Sequence, residues 1–483
     1  MKLVLRGLVV FLVVLALFVA LFYGVENWRG KHAWEKTLAE IKERGEPTTL
    51  AEITPPPIPD EVNIAAAPVF AELFLPDGSE NKEARLARLS KTELPQQKRR
   101  LDPPQFPGTW QLSDLRLYFE EQEGTEGPSP ATDQKLAAQA LLAQLDKWTP
   151  LLEEVREALS RPQCRWPLPY EKGFKAGASH HHLSPTQMLI QIFSLRVQSL
   201  LELGESQKAM DDLEAFFRLS RAVESEQTVI TNLLGYAFDS MALQLFWNGL
   251  VRNQWSEADL LRMPELLNRP DDFAKLRKAL LHEQVLMRDM DFKSYYAAMK
   301  GFYTPPLSLR VQPSGWFLQE MCSFANYSRR IHDSIDVQNM TIAASVCHEV
   351  AKEIEDKKDV LSSWPEFSAK GSASGYLTFI RKVAQMQAMT NQARIALALE
   401  LWKLRHGRLP EHLDELVPEF LDSVPNQVVD NTQMIYRRVN DQDYLLYSIA
   451  WNLQDDGGIV KRDPEVGLLD WVWVSKPELY RVE

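Results

Sequence analysis

The chain has 483 residues, 45% apolar and 25% charged, with a formal net charge of -12 and a sequence pI of about 5.4. This is the balance of a folded protein rather than a disordered one, and the length favours two or three domains. The acidic surplus argues against a nucleic-acid partner, since the only tight basic cluster is Lys98-Arg99-Arg100 and no basic stripe is present to neutralise many phosphates.

Met1, Lys2 and Arg6 precede an uncharged run from Gly7 to Tyr23. As a helix that run covers about 25 Å, slightly less than a bilayer's hydrocarbon core, and Leu3 to Leu5 extend it if Arg6 snorkels. No small-x-small cleavage site follows, so residues 1–24 read as a retained transmembrane anchor with the membrane as partner through residues 7–23. The short basic head favours a cytoplasmic N-terminus and an extracytoplasmic, periplasmic bulk.

Residues 25–60 read as a juxtamembrane helix and a proline-rich spacer. Trp28, Trp34, Leu38 and Ile41 keep helical spacing, Gly45 and Pro47 stop it, and Thr54-Pro-Pro-Pro-Ile-Pro-Asp60 excludes helix. Residues 61–131 read as short helices and loops, with a helix from Asn63 to Leu75 capped by Asn63. Residues 132–372 read as an all-α body. The apolar period predicts helices over 132–160, 185–203, 206–224, 226–252, 256–268, 271–298, 316–334 and 336–358. Within it Leu200 to Gly204 and Ala209 to Leu213 resemble the middle of a tetratricopeptide repeat, but with one such unit visible and about three needed for a stable array, a helical hairpin with a tight turn is the favoured reading.

Residues 373–483 read as a small α+β domain. A helix from Tyr376 to His406 stops at Gly407, a short helix covers Glu411 to Val417, and β-favouring runs follow at 434–439, 444–449 and 468–474. Ile380, Val383, Ala384, Ile395, Leu399 and Trp402 are expected on the buried side of the long helix. The whole fold is therefore expected to be mainly α, with an N-terminal transmembrane helix, a multi-helix body and a small C-terminal α+β domain.

The text Ala396 to Pro410, Leu413-Asp-Glu-Leu-Val-Pro418, Phe420 to Pro425, Tyr447-Ser448 and Asp455-Asp-Gly-Gly458 resembles the globular part of type II secretion pseudopilins. That resemblance implies a sheet packed on a long helix. Asn426-Gln427 stands where the family has Asp-Pro, and Met1 to Tyr23 lacks the family's acidic residue. Some pseudopilins hold calcium in this region; here Asp430, Asp455 and Asp456 have oxygen ligands to offer, against the plainer reading of an acidic glycine turn. The complete arrangement also resembles a set of uncharacterised bacterial envelope proteins.

Other chemistry is thin. His180-His181-His182 is a second metal candidate, but consecutive side chains do not converge on one ion without a contorted loop. His348-Glu349 lacks the second histidine of a zinc-protease helix, with Lys352 in its place. His332, Asp333 and Asp336 share a stretch that reaches a common pocket, or simply form a solvated face. Glu153, Glu154 and Glu157 read as a charged face, and Trp247, Trp255, Tyr295, Tyr296, Trp316, Phe317 and Phe324 as core. Cys164, Cys322 and Cys347 are too few for a disulfide framework. No cofactor is expected. The leading functional reading is a non-enzymatic, membrane-tethered interaction or scaffold protein with another envelope protein as partner. An envelope hydrolase with a site scattered among the helices and a component of a secretion or pilus-related assembly stay open.

Overall fold

The computed structural model describes residues 2–88, 94–98, 110, 112–120, 128–172, 181–289, 312–356, 367–459, 462–463 and 467–475. The first helix, α1 (Lys2–Glu43), joins the apolar run to the juxtamembrane segment without a break. It is about 63 Å long at 1.5 Å per residue, and its apolar part is long and apolar enough to cross a bilayer, with none of that stretch buried in the protein. Gly45, at a positive φ of 68°, closes it, and the amides of Gly45 and Glu46 reach back to the carbonyls of Lys42 and Ile41.

The stretch after the proline spacer is three separate turns, Ile64–Ala66, Pro68–Ala71 and Glu72–Phe74, rather than one helix. Asn63 does cap the first, accepting from the Ala65 amide, and Pro68 forces the break. The body then runs α2 (Gln134–Leu145), α3 (Thr149–Leu159), α4 (Leu183–Glu202), α5 (Ser206–Glu224), α6 (Val229–Val251), α7 (Asp272–Asp289), α8 (Ser314–Asp333) and α9 (Ala344–Asp356). Helices α4, α5 and α6 pack as consecutive hairpins, with Gly204 at a φ of 78° in the first turn. Residues 290–298 of the expected 271–298 helix lie outside the described residues. The stretch 256–268 splits into Glu257–Leu260 and Met263–Leu267, the second carrying Pro264 in its first turn.

The expected helix over 336–358 begins only at Ala344. Ile335–Asp336 instead pairs antiparallel with Thr341–Ile342. Asp336 accepts from the amides of Gln338 and Asn339, an Asx turn that outcompetes helix, and β-branched Thr341 and Ile342 complete the return.

The C-terminal segment opens with α10 (Phe367–His406), longer at its start than expected, then a 3₁₀ turn over Leu413–Leu416. Strands β1 (Ile435–Arg438), β2 (Tyr444–Ile449) and β3 (Asp470–Val474) form an antiparallel sheet ordered β1-β2-β3, with Tyr447 opposite Ile435 on one side and Val472 on the other. The sheet packs on α10. Ile380, Val383, Ala384, Ile395 and Leu399 are buried as expected, but Trp402 is only half-buried. It lies one turn before the helix ends, covered by the rings of Phe420 and His406 alone among the aromatic groups described.

One apolar core runs from Ile64 to Trp473, so the change of element type near residue 372 is not a break in packing. A second junction holds α1 to α8. Gly30 and Gly315 meet so closely that a Cβ on either would collide with the other helix's backbone. Asn27 Oδ1 accepts from the Gly315 amide at 2.8 Å and the Ser314 hydroxyl at 3.1 Å, so a residue of α1 caps α8. Glu26 accepts from the Trp316 indole at 2.9 Å and from Gln319 at 3.2 Å. At the far end Arg44 pairs with Asp333 at 2.6 Å.

Candidate functional site

A wide opening lies where the helical body meets the C-terminal segment. It is a cleft of about 800 Å³ lined in part by Arg277, Asp333, Asp336, Gln338, Asp430 and Asn431. The fold thus brings two members of the His332, Asp333, Asp336 constellation to one cleft, together with one of the calcium candidates. His332 is buried behind them. Arg277 Nε donates to His332 Nε2 at 3.1 Å, which leaves the proton on Nδ1, 3.3 Å from Asp333 Oδ1. Burial, then the charge of Arg277, holds His332 below its ordinary pKa. Asp333 also lies below its ordinary range: burial works against this, but hydrogen bonds from Arg44 and His332 overcome it. Asp336 is taken up by its turn and Asp430 by the amide and hydroxyl of Thr432. Each acid is already bonded within the fold, and the imidazole acceptor is occupied by arginine. In this arrangement the side chains named offer hydrogen-bonding groups rather than a free base for proton transfer.

The other two calcium candidates sit elsewhere. Asp455 Oδ1 accepts from the Tyr447 hydroxyl at 3.1 Å and the Gly457 amide at 2.9 Å, and Asp456 accepts from Asn452 at 2.7 Å. Among the described residues no group of three or more His, Cys, Asp or Glu side chains converges as a metal site requires. Sequence reasoning passed over Asp470, the first residue of β3, which is 1% exposed and accepts from the Gly458 amide at 2.8 Å. Burial, with the charges of Asp456 and Asp455, pushes its carboxyl up to about 6, even though backbone hydrogen bonds oppose the shift.

A folded-state pKa raised above the unfolded value favours the protonated form. The stability from Asp470 is therefore complete below about pH 4 and is lost as pH rises through about 6. The Asp470→Asn variant should gain on the parent between these limits. Melting temperatures of both proteins at pH 4 and 7 check this, and a constant difference contradicts it.

Of the histidine run, His180 lies outside the described residues. His181 is exposed, whereas His182 is fully buried at the start of α4. The His182 ring stacks on Trp166 with centroids 4.0 Å apart, and its Nε2 lies 2.7 Å from buried Glu226. The two described rings face different surroundings, and this pair serves the core. His348 and Glu349 are exposed on α9, and Glu154 pairs with Arg85 at 2.7 Å. Trp247, Trp255, Phe317 and Phe324 are core, Trp316 is half-buried, and Tyr295 and Tyr296 lie outside the described residues. All three cysteines are free thiols, and burial pushes Cys164 up to about 12 and Cys347 up to about 11, far from a reactive thiolate.

The densest buried charge was not legible beforehand. Arg269 is ringed by Glu224 of α5 at 2.5 Å, Asp272 of α7 at 2.6 Å, and Asp239 of α6. All four side chains are buried, with Tyr236 beside the guanidinium. Burial, and then the neighbouring Glu224 charge, raises Asp272, while Arg269 works to lower it. The cluster fastens three helices together.

No known protein family, curated protein or solved structure matches the chain.

Proposed function

We propose that this chain is a membrane-tethered interaction or scaffold protein without catalytic activity, its body presented on the extracytoplasmic side to another envelope protein. The observation that carries the reading is the α1–α8 junction. A flexible tether would suffice for an enzyme acting on soluble substrate, whereas here the anchor helix runs into the body and is fastened by a glycine crossing, an asparagine cap and a carboxylate. The Phe22 and Trp316 rings, 5.8 Å apart, place the start of α8 level with the last turn of the apolar run. This supports a body held close to the headgroup layer in a fixed orientation, as a docking platform requires.

The C-terminal order supports reading this end as a second docking module, as the pseudopilin resemblance implied: a long helix ending at Gly407, a 3₁₀ turn, then an antiparallel sheet on that helix. The test is purification from solubilised membranes through a C-terminal tag, with mass spectrometry of the eluate. The expected result is an envelope protein in near-stoichiometric amount that is lost when Gln338 and Asn431 in the cleft are both changed to Arg. A chain that purifies alone, yet hydrolyses ester or peptide substrates, would reverse the proposal in favour of an enzyme.

A further inference from the structure

A small pocket of about 260 Å³ opens on the face of the body between the end of α3, the end of α5 and the short helix Met263–Leu267. Three arginines line it: Arg161 from the loop after α3, and Arg218 and Arg221 one turn apart on α5. In a chain with a net charge of -12 this concentration of guanidinium groups needs a reason.

Arg161 Nη1 donates to the carbonyls of Asp60 and Asn63, both at 2.9 Å. Arg221 Nη2 donates to the Leu266 carbonyl at 2.5 Å. Neither meets a carboxylate within ion-pair distance among the described residues. Arg218 alone has one: its Nη2 lies 2.8 Å from Glu214, which is shared with Arg262, while its Nη1 donates to the Leu159 carbonyl at 3.3 Å. The nearest acids behind Arg221, Glu224 and Asp272, are bonded to Arg269. Burial, then the charge of Arg269, holds the Arg221 guanidinium below its ordinary range, against the opposing charges of Glu224 and Asp272. Carbonyl bonds fix all three forks and leave Nε and Nη2 of Arg161 and Nε and Nη1 of Arg221 uncommitted, whereas both terminal nitrogens of Arg218 are taken. Ser225 and Gln163 complete the polar lining, and exposed Glu265 is the one acid at the mouth.

We infer that this pocket binds a phosphate-bearing anion. The open N–H groups of Arg161 and Arg221, arriving from two segments with the charge of Arg218 beside them, can address separate oxygens of a tetrahedral oxyanion, whereas a carboxylate is satisfied by a single fork. The volume equals roughly nine waters at ~30 Å³ each, room for a phosphate with a few further heavy atoms. That group is carried by a soluble phosphate compound or by a lipid head.

The test uses the full chain in detergent, melted in sodium phosphate and in sodium chloride of matched ionic strength. The inference predicts a saturable rise in melting temperature specific to phosphate, because a ligand that binds only the folded state stabilises it. Gln163→Glu, an exposed substitution that places a second acid at the mouth, should weaken binding at least tenfold without lowering the melting temperature in chloride. Arg221→Gln should weaken it to a similar degree, and Glu265→Gln should tighten it severalfold. A parallel arm compares nanodiscs containing phosphatidic acid with pure phosphatidylcholine. A rise only there, lost in Gln163→Glu, assigns the phosphate to a lipid head. No phosphate-specific rise in either arm, or an equal rise in Gln163→Glu, overturns the inference.

Discussion

Arg269→Met should cost about 3–5 kcal/mol of folding stability, because it leaves buried carboxylates without their cation. Glu224, Asp239 and Asp272 come from three different helices and converge on the one guanidinium. Methionine fills the volume of the arginine stem, so the loss reports charge rather than packing. The deficit should also depend on pH with a definite sign. Stranded carboxylates bind protons more tightly folded than unfolded, so the variant's penalty is smallest below about pH 4 and grows as pH rises. Adding Glu224→Gln and Asp239→Asn should recover much of the loss at neutral pH. Urea titrations of the detergent-solubilised proteins measure all of this. A loss below about 1 kcal/mol, flat with pH, would mean that the cluster is hydrated and open.

Trp247→Ala should have an effect of similar size and a different reach. Trp247 lies on α6 with 2% exposure, its indole donates to the Val474 carbonyl on β3 at 2.7 Å, and its ring stands 5.6 Å from Trp110, which in turn meets Trp473. This is where the helical body is fastened to the C-terminal sheet. An emptied aromatic core site costs about 3–5 kcal/mol, and the indole hydrogen bond is lost with it. Because the core is continuous from Ile64 to Trp473, both parts should unfold in one transition at a lower urea concentration. Trp247→Phe, which keeps most of the volume, should cost clearly less. Selective loss of residues after 372 to protease, with the helices intact, would show two cooperative units instead.

What the sequence made legible follows periodicity. The apolar run, the helices from α4 to α6 and the hairpin from β1 to β2 each repeat a local pattern over enough residues to declare their type. The misreadings are local contests that pattern cannot settle. Asp336 used its side chain to bind its own backbone and turned an expected helix into a hairpin. Pro68 divided a segment that apolar spacing alone read as continuous, and two short helices replaced one over 256–268. Trp402 keeps the spacing of the buried residues but lies so near the end of α10 that it is covered only in part.

The features with the largest expected consequences depend on partners far apart in the chain. Nothing in the text around Gly30 announces Gly315, and nothing around Arg269 announces Asp239. A glycine and an arginine carry no period, so their roles appear only when the helices are placed. The His332, Asp333 and Asp336 grouping was visible because those residues are neighbours in sequence. Its occupation by Arg277 and Arg44 was not.

The central claim, that anchor and body move as one, is tested most directly by pulsed spin–spin distance measurement on the full chain in nanodiscs. With the three native cysteines changed to alanine, labels at Lys36→Cys on α1 and Arg329→Cys on α8 occupy exposed positions on the two joined helices. The account predicts one narrow distance distribution in this background and a broad one once Gly315→Leu forces the crossing apart. A broad distribution before that substitution, or an unchanged narrow one after it, would contradict the account.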